Sequence, residues 1–121
     1  MSPAAWLAVG LLGGAAAAAR HLIDTTVTAR TDHPFPHGIL AINIGGALAL
    51  GLVAGVALEG EALAIVAGGC IGSFTTFSTW ILDSHRLAEA GHTQLVWLNL
   101  GLSLLAGFAA VALGHWLGTV L

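Results

Sequence analysis

The stretch Gly68-Gly69-Cys70-Ile71-Gly72-Ser73-Phe74-Thr75-Thr76-Phe77-Ser78-Thr79-Trp80 (GGCIGSFTTFSTW) decides how this chain folds. It lies inside a run without Asp, Glu, Lys or Arg, from Ala62 to Leu82. That run can cross a bilayer, since about 20 mostly apolar residues span the hydrocarbon. Yet Ser73, Thr75, Thr76, Ser78 and Thr79 put five hydroxyls into seven positions, and Gly68, Gly69 and Gly72 precede them. Glycine and β-branched threonine both lower helix propensity. Backbone at membrane depth must nevertheless stay paired, unless it is buried in protein or lines a cavity. The stretch therefore predicts a helix that breaks mid-membrane and is shielded from lipid. Carbonyls released by such a break suit a hard cation, as the open ends of discontinuous membrane helices do. The plainer alternative is an unbroken helix whose hydroxyls all bond back to their own carbonyls.

Three further runs lack charged residues: Met1 to Ala19, His33 to Leu58 and Gly91 to Leu121. The 121 residues are 57% hydrophobic and only 7% charged, with a mean hydropathy of +0.93. A soluble domain carries roughly a quarter charged residues. The composition thus predicts an all-α integral membrane protein, a single transmembrane domain over residues 1–121 with spans near 3–23, 36–58, 62–84 and 93–118. The first run lacks the basic start of a secretory signal and reads as a retained span. The loops leave no room for a soluble domain, so function lies in the bilayer or at its two faces. A net charge of -3 with three basic residues excludes nucleic acid as a partner, because that requires a basic face.

Four spans put the amino terminus, the Glu59 to Glu61 turn and the carboxyl terminus on one side, and the Asp24 to Pro36 and Asp83 to His92 loops on the other. Arg30 and Arg86 lie on the second side with Arg20 near it, which the positive-inside rule makes cytoplasmic. Seventeen glycines include four pairs spaced by four: Gly10 and Gly14, Gly51 and Gly55, Gly68 and Gly72, Gly114 and Gly118. Small residues at that spacing let helix backbones approach closely in lipid. They predict a tightly packed bundle, and four short helices bury so little alone that an oligomer is expected. Cys70, the single cysteine, allows no intrachain disulfide and reads as a small buried hydrophobe.

Asn43 stands among aliphatics in INIGG. Its amide must either pair with another helix, for about 0.6–2 kcal/mol, or face a polar passage. Asn99 and Ser103, four apart, share a helical face, although a serine can also satisfy itself on its own helix. Phe77 and Trp80 share a face too. They are either two core aromatics or two rings whose electropositive edges meet an anion. No Lys or Arg lies centrally in a span, so an anion pathway would rely on an amide, hydroxyls and ring edges. Those donors suit a small, strongly hydrogen-bonding ion. The six acids, Asp24, Asp32, Glu59, Glu61, Asp83 and Glu89, fall outside the central spans. That placement opposes a small dual-topology, proton-coupled multidrug-type transporter, which needs a membrane-embedded carboxylate. A purely structural membrane subunit is the remaining rival. His33 and His37 flank Phe35 between two prolines and fall short of the usual four ligands of a structural metal site. No group suited to catalysis is present, so the chain reads as no enzyme.

These residues resemble the small bacterial fluoride channels called Fluc or CrcB. Gly69 to Trp80 is similar to that family's glycine-rich lead into a TTFST core, and Pro36 to Gly46 (PHGILAINIGG) to its proline-x-glycine-threonine-leucine-x-valine-asparagine pattern. Gly13, Gly14 and Arg20 match the end of its first helix, and Asn99 to Gly107 its fourth, so that the resemblance covers nearly the whole chain. It implies four helices per subunit, with the third broken at TTFS, in an antiparallel, dual-topology dimer with two fluoride pathways. Asn43, Phe77 and Trp80 would then line the pathway, with Thr76, Ser78 and Ser103 as hydroxyl donors. The backbone carbonyls of Gly72 and Thr75 from both subunits would hold a structural sodium ion at the dimer centre, and Arg20 would support the vestibule. The implied function is passive export of fluoride across the plasma membrane. The implied partners are membrane lipid and a second subunit, either an identical copy or a paired homologue. The sequence departs from the family at Ile39, where threonine is usual, at Asn99, where an aromatic is common, and at Trp80, where a second phenylalanine is usual. The last leaves two ways to contact the anion, a ring edge or the indole N–H.

Overall fold

The computed structural model describes all 121 residues. Helix α1 runs from Pro3 to Ala29 and starts where Ser2 caps it, its Oγ accepting the Ala5 N–H at 3.1 Å. Pro3 follows in the first turn, where a missing N–H costs nothing. Helix α2 (His37–Gly55) begins directly after Pro36. The third span is compound: α3 (Gly60–Leu63), a π-helical stretch (Ala64–Ile71), α4 (Gly72–Phe74) and, after a gap, α5 (Phe77–Glu89). Helix α6 (Thr93–Thr119) completes the chain. Helices α1, α2 and α6 and the compound span Gly60–Glu89 are each long and apolar enough to cross a membrane. Helices α1 and α5 run beyond the expected spans as polar ends, to Ala29 and Glu89.

The two ends of the bundle are distinct. The Ser2 backbone N–H and hydroxyl both reach the Glu61 carboxylate, the latter at 3.2 Å. That ties the amino terminus to the turn before the third span. At the opposite end the α1–α2 and α5–α6 loops line one cavity. The α5–α6 connection is a Schellman turn: His92 N–H bonds to the Leu87 carbonyl at 2.9 Å and Gly91 N–H to that of Ala88 at 3.1 Å. Its left-handed residue is Gly91 at φ 82°, a conformation glycine takes without steric cost.

Close helix contact is made by glycine, though at fewer of the expected pairs. Helices α2 and α6 lie side by side and run in the same direction. A Cβ on Gly51 would overlap the Val111 carbonyl, one on Gly114 the Leu48 carbonyl, and one on Gly55 would sit 2.8 Å from the Gly118 Cα. The other two pairs make no such contact inside the subunit. A Cβ on Gly10, Gly14 or Gly68 would meet nothing within 4 Å, and one on Gly72 only the Ala67 carbonyl at 3.4 Å. The contact between α1 and the third span instead uses Gly13, whose Cβ would lie 3.1 Å from the Gly69 oxygen, and Gly69, whose Cβ would lie 3.2 Å from the Val9 Cα. A spacing of four fixes which residues share a face and leaves open which way that face points. Cys70, expected to be buried, is half-buried in an open apolar groove beside Ala16, Gly45 and Phe74.

The third span changes neighbours as it crosses. Its first half, the π-helical stretch and α4, packs on α1, whereas α5 packs on α6. A straight helix cannot serve both partners, and the chain shifts between them at Thr75 and Thr76. Thr75 N–H makes the last bond of the first half, to the Ile71 carbonyl at 3.0 Å. Thr75 (ψ 159°) and Thr76 (φ -149°, ψ 125°) are then extended. The π-helical stretch before them, in which Gly72 N–H reaches back to the Ala67 carbonyl, is the less expected part. Such turns are rare and gather at functional sites.

Candidate functional site

The break needs partners for its backbone, and Asn43 supplies them. Its Nδ2 donates to the Thr76 carbonyl at 2.8 Å, while its Oδ1 accepts the Thr76 N–H at 2.9 Å. One side chain thus takes the place of the missing helix ladder on both sides of the residue. This is the interhelical pairing of the two readings of Asn43, made by a side chain that also lines the cavity described below. Each bond contributes about 1 kcal/mol net, while leaving such a group buried and unpaired costs about 1–3 kcal/mol. Gly46, three residues on and so on the same face of α2, lets the break come close, since a Cβ there would overlap the Thr75 methyl.

The break also presents two ends of opposite polarity. Because Thr76 N–H turns to Asn43, the Gly72 carbonyl loses its helical donor. The Thr79 N–H donates to the Thr76 hydroxyl at 3.2 Å and so leaves the Thr75 carbonyl outside the ladder as well. Arg20 Nη1 reaches that Thr75 carbonyl at 3.4 Å. Arg20, expected beside the vestibule, therefore stands at the break itself. On the other side α5 offers its amino end, where unpaired N–H groups and the helix dipole favour negative charge. Thr76 serves mainly as the N-cap of α5. Its Oγ1 also donates to Thr79 Oγ1 at 3.1 Å and lies 3.4 Å from Ser78 Oγ.

A cavity of about 320 Å³ opens beside this break, lined among others by Asn43, Thr75, Thr76, Phe77, Trp80 and Ser103. Phe77 and Trp80 meet edge to face, with ring centres 5.5 Å apart and planes at 75°. Phe77 is 71% exposed, so the cavity is open on its side. The Ser103 hydroxyl is buried without a hydrogen-bond partner. Ser78, Arg20 and Gly72 lie outside this lining. The Trp80 indole N–H donates to the Asn99 carbonyl of α6 at 3.3 Å and is spent there. Asn99, 1% exposed, donates through Nδ2 to Ser84 Oγ at 2.9 Å, and Ser84 donates to the Trp80 carbonyl at 2.9 Å.

Two residues of this site escaped the sequence reading. Gly46 carried a signal in its position one turn after Asn43. Ser84 carried none until Asn99 and Trp80 were brought together.

At the loop end a second cavity, of about 430 Å³, is lined by Asp24, His33, His37, Asp83, Arg86 and His92 among others. Its charges are mixed: Arg86 stands 3.7 Å from Asp83. His33 Nδ1 accepts the Phe35 N–H at 3.1 Å, which removes that nitrogen from any metal.

The family model described as "CrcB-like protein, Camphor Resistance (CrcB)" matches residues 7–115. Among curated relatives, "Fluoride-specific ion channel FluC 2" of Mycobacterium tuberculosis is 38% identical over 120 residues, covering 99% of this chain and 95% of its own. Two proteins of Symbiobacterium thermophilum also match. "Fluoride-specific ion channel FluC 2" is 47% identical over 109 residues, covering 85% of this chain and 89% of its own. "Fluoride-specific ion channel FluC 1" is 38% identical over 119 residues, covering 93% and 96%.

Proposed function

This chain belongs to the CrcB-like family, and on that premise we propose that it is a fluoride-selective channel that exports fluoride passively across the plasma membrane and so lowers cytoplasmic fluoride. It is a multi-pass membrane protein. The observation that carries the reading is the broken third span, whose α5 amino end and paired rings of Phe77 and Trp80 share one cavity with the unpaired Ser103 of α6. All of these are neutral donors. They can replace the water around a small anion without holding it as tightly as a lysine or arginine would, and conduction requires such weak, successive binding. Fluoride accepts strong hydrogen bonds and is small, so it gains more from this lining than chloride does. Hydrogen fluoride enters a cell neutral, ionises at cytoplasmic pH and is trapped. A conduit for the anion alone then suffices for export.

The working unit in this reading is an antiparallel, dual-topology dimer with two pathways. The exposed Phe77 and the unoccupied space around Gly10, Gly14, Gly68 and Gly72 support it, since a second subunit would close the cavity's open side. That subunit is either an identical copy or a paired homologue, which a mass measurement of the chain expressed alone distinguishes.

A structural sodium at the dimer centre fits the residues present. The Gly72 and Thr75 carbonyls lie outside the helix ladder, and that of Thr75 already attracts one cation, Arg20. When bound, the ion would supply a fixed positive charge between the subunits. Fluoride efflux from liposomes, with chloride as control, tests the reading. Selective fluoride efflux is expected; equal chloride efflux, or none of either, would sink it.

A further inference from the structure

We infer that Asn99 and Ser84 are positioning residues for Trp80: the three close a brace between α5 and α6 that holds the indole in one orientation at the cavity wall and keeps its N–H from the anion. The inference rests on the channel reading of that cavity and goes beyond it. Trp80 is half-buried, lines the cavity and packs edge to face on Phe77. Asn99 and Ser84 lie outside the lining and are 1% and 5% exposed. Their link to the pathway runs through Trp80.

Three bonds make the brace. The Trp80 indole N–H donates to the Asn99 carbonyl at 3.3 Å, Asn99 Nδ2 to Ser84 Oγ at 2.9 Å, and Ser84 Oγ to the Trp80 carbonyl at 2.9 Å. Their directions follow from the groups: a carbonyl can only accept, so the Ser84 hydroxyl spends its one proton on Trp80 and takes the bond from Asn99 as an acceptor. The Asn99 amide is thereby oriented, with its nitrogen toward α5. One residue of α6 thus grips Trp80 at both ends, the ring directly and the backbone through Ser84. An indole free to turn could bring its N–H to the cavity in place of ring carbons. Such a donor would hold a small anion more tightly, whereas conduction requires weak, successive binding. With its proton committed to Asn99, Trp80 offers the anion only the rest of its ring.

The test is a double-mutant cycle on fluoride efflux from liposomes. Asn99→Leu removes the side-chain link while Ser84 keeps its bond to the Trp80 carbonyl, and should lower efflux about fivefold, as befits one net hydrogen bond. In a Trp80→Phe background, which has a ring but no N–H to hold, the same change should alter efflux by less than about twofold. A role confined to joining α5 to α6 predicts equal losses in both backgrounds; that result, or unchanged efflux in both, overturns the inference. Indole mobility is read independently of conduction. With Trp6, Trp97 and Trp116, all exposed, replaced by phenylalanine, Trp80 is the sole indole emitter, and Asn99→Leu should add a fast component to its fluorescence anisotropy decay. Ser84→Ala deletes one oxygen and two of the three bonds; it should act alike, and it serves if the leucine variant does not fold. An indole as rigid in these variants as in the parent overturns the inference and leaves the channel reading standing. An unsubstituted chain that passes no fluoride overturns the channel reading, and this role with it.

Discussion

Asn43 and Phe77 stand at the break in different settings, one paired and one exposed, which substitution separates. Asn43 pairs both polar groups of the Thr76 backbone, in a setting where lipid supplies no substitute. Asn43→Ala should cost about 2–6 kcal/mol, by leaving two groups unpaired. It is expected to lower the thermal transition in detergent and to abolish fluoride flux together. A variant that keeps its transition would show that water satisfies the break instead. Phe77, 71% exposed, packs little within its own chain. Phe77→Ile should therefore reduce flux and leave the transition in place, while unchanged flux would put its ring outside the pathway. Both residues were legible in the sequence, Asn43 as an amide with no excuse among aliphatics and Phe77 by its hydroxyl neighbours. Their partners were not. That Asn43 bonds a backbone, and that Trp80 spends its N–H on Asn99, depend on tertiary approach that no local spacing encodes.

At the scale of elements, the third span joins two half-helices with different neighbours, and Thr76 is where the second is started. Its hydroxyl caps α5 by accepting the Thr79 N–H. Thr76→Val keeps the shape and loses the cap, which should cost about 1 kcal/mol, lower the thermal transition and reduce flux. Thr76→Ser should preserve both, because it retains the oxygen. Equal behaviour of the two variants would mean that the hydroxyl neither caps nor conducts. Glycine, serine and threonine between residues 68 and 80 were enough to predict that this helix breaks, since their propensities disagree with their depth. The π-helical stretch from Ala64 to Ile71 had no such signature. Its Gly68 and Gly69 weaken a helix without specifying a wider turn, and α1 packs closely against Gly69 within it.

For the whole molecule, the glycines separate what holds one chain together from what joins it to another. Gly114 sits where a Cβ would overlap the Leu48 carbonyl, between two helices that run side by side. Backbone cannot yield there as a flexible side chain would, so Gly114→Leu should force α2 and α6 apart and prevent the bundle from forming. Gly72 is different: within its own chain a Cβ would meet only the Ala67 carbonyl, at an ordinary 3.4 Å. Gly72→Leu should therefore fold as a subunit. If the Gly72 carbonyl faces a second copy across a shared cation, however, the added side chain occupies that space, and the particle should lose half its protein mass in detergent. Circular dichroism and particle mass, measured on both variants, check the pair of expectations. A Gly72→Leu protein that remains dimeric and conducts would place the subunit contact elsewhere, whereas a helical, unchanged Gly114→Leu protein would contradict the α2–α6 packing itself. Spacing alone gave Gly72 and Gly114 the same reading, as members of pairs four apart. Only the direction each face takes in the bundle assigns one to the inside of the subunit and the other to its open side.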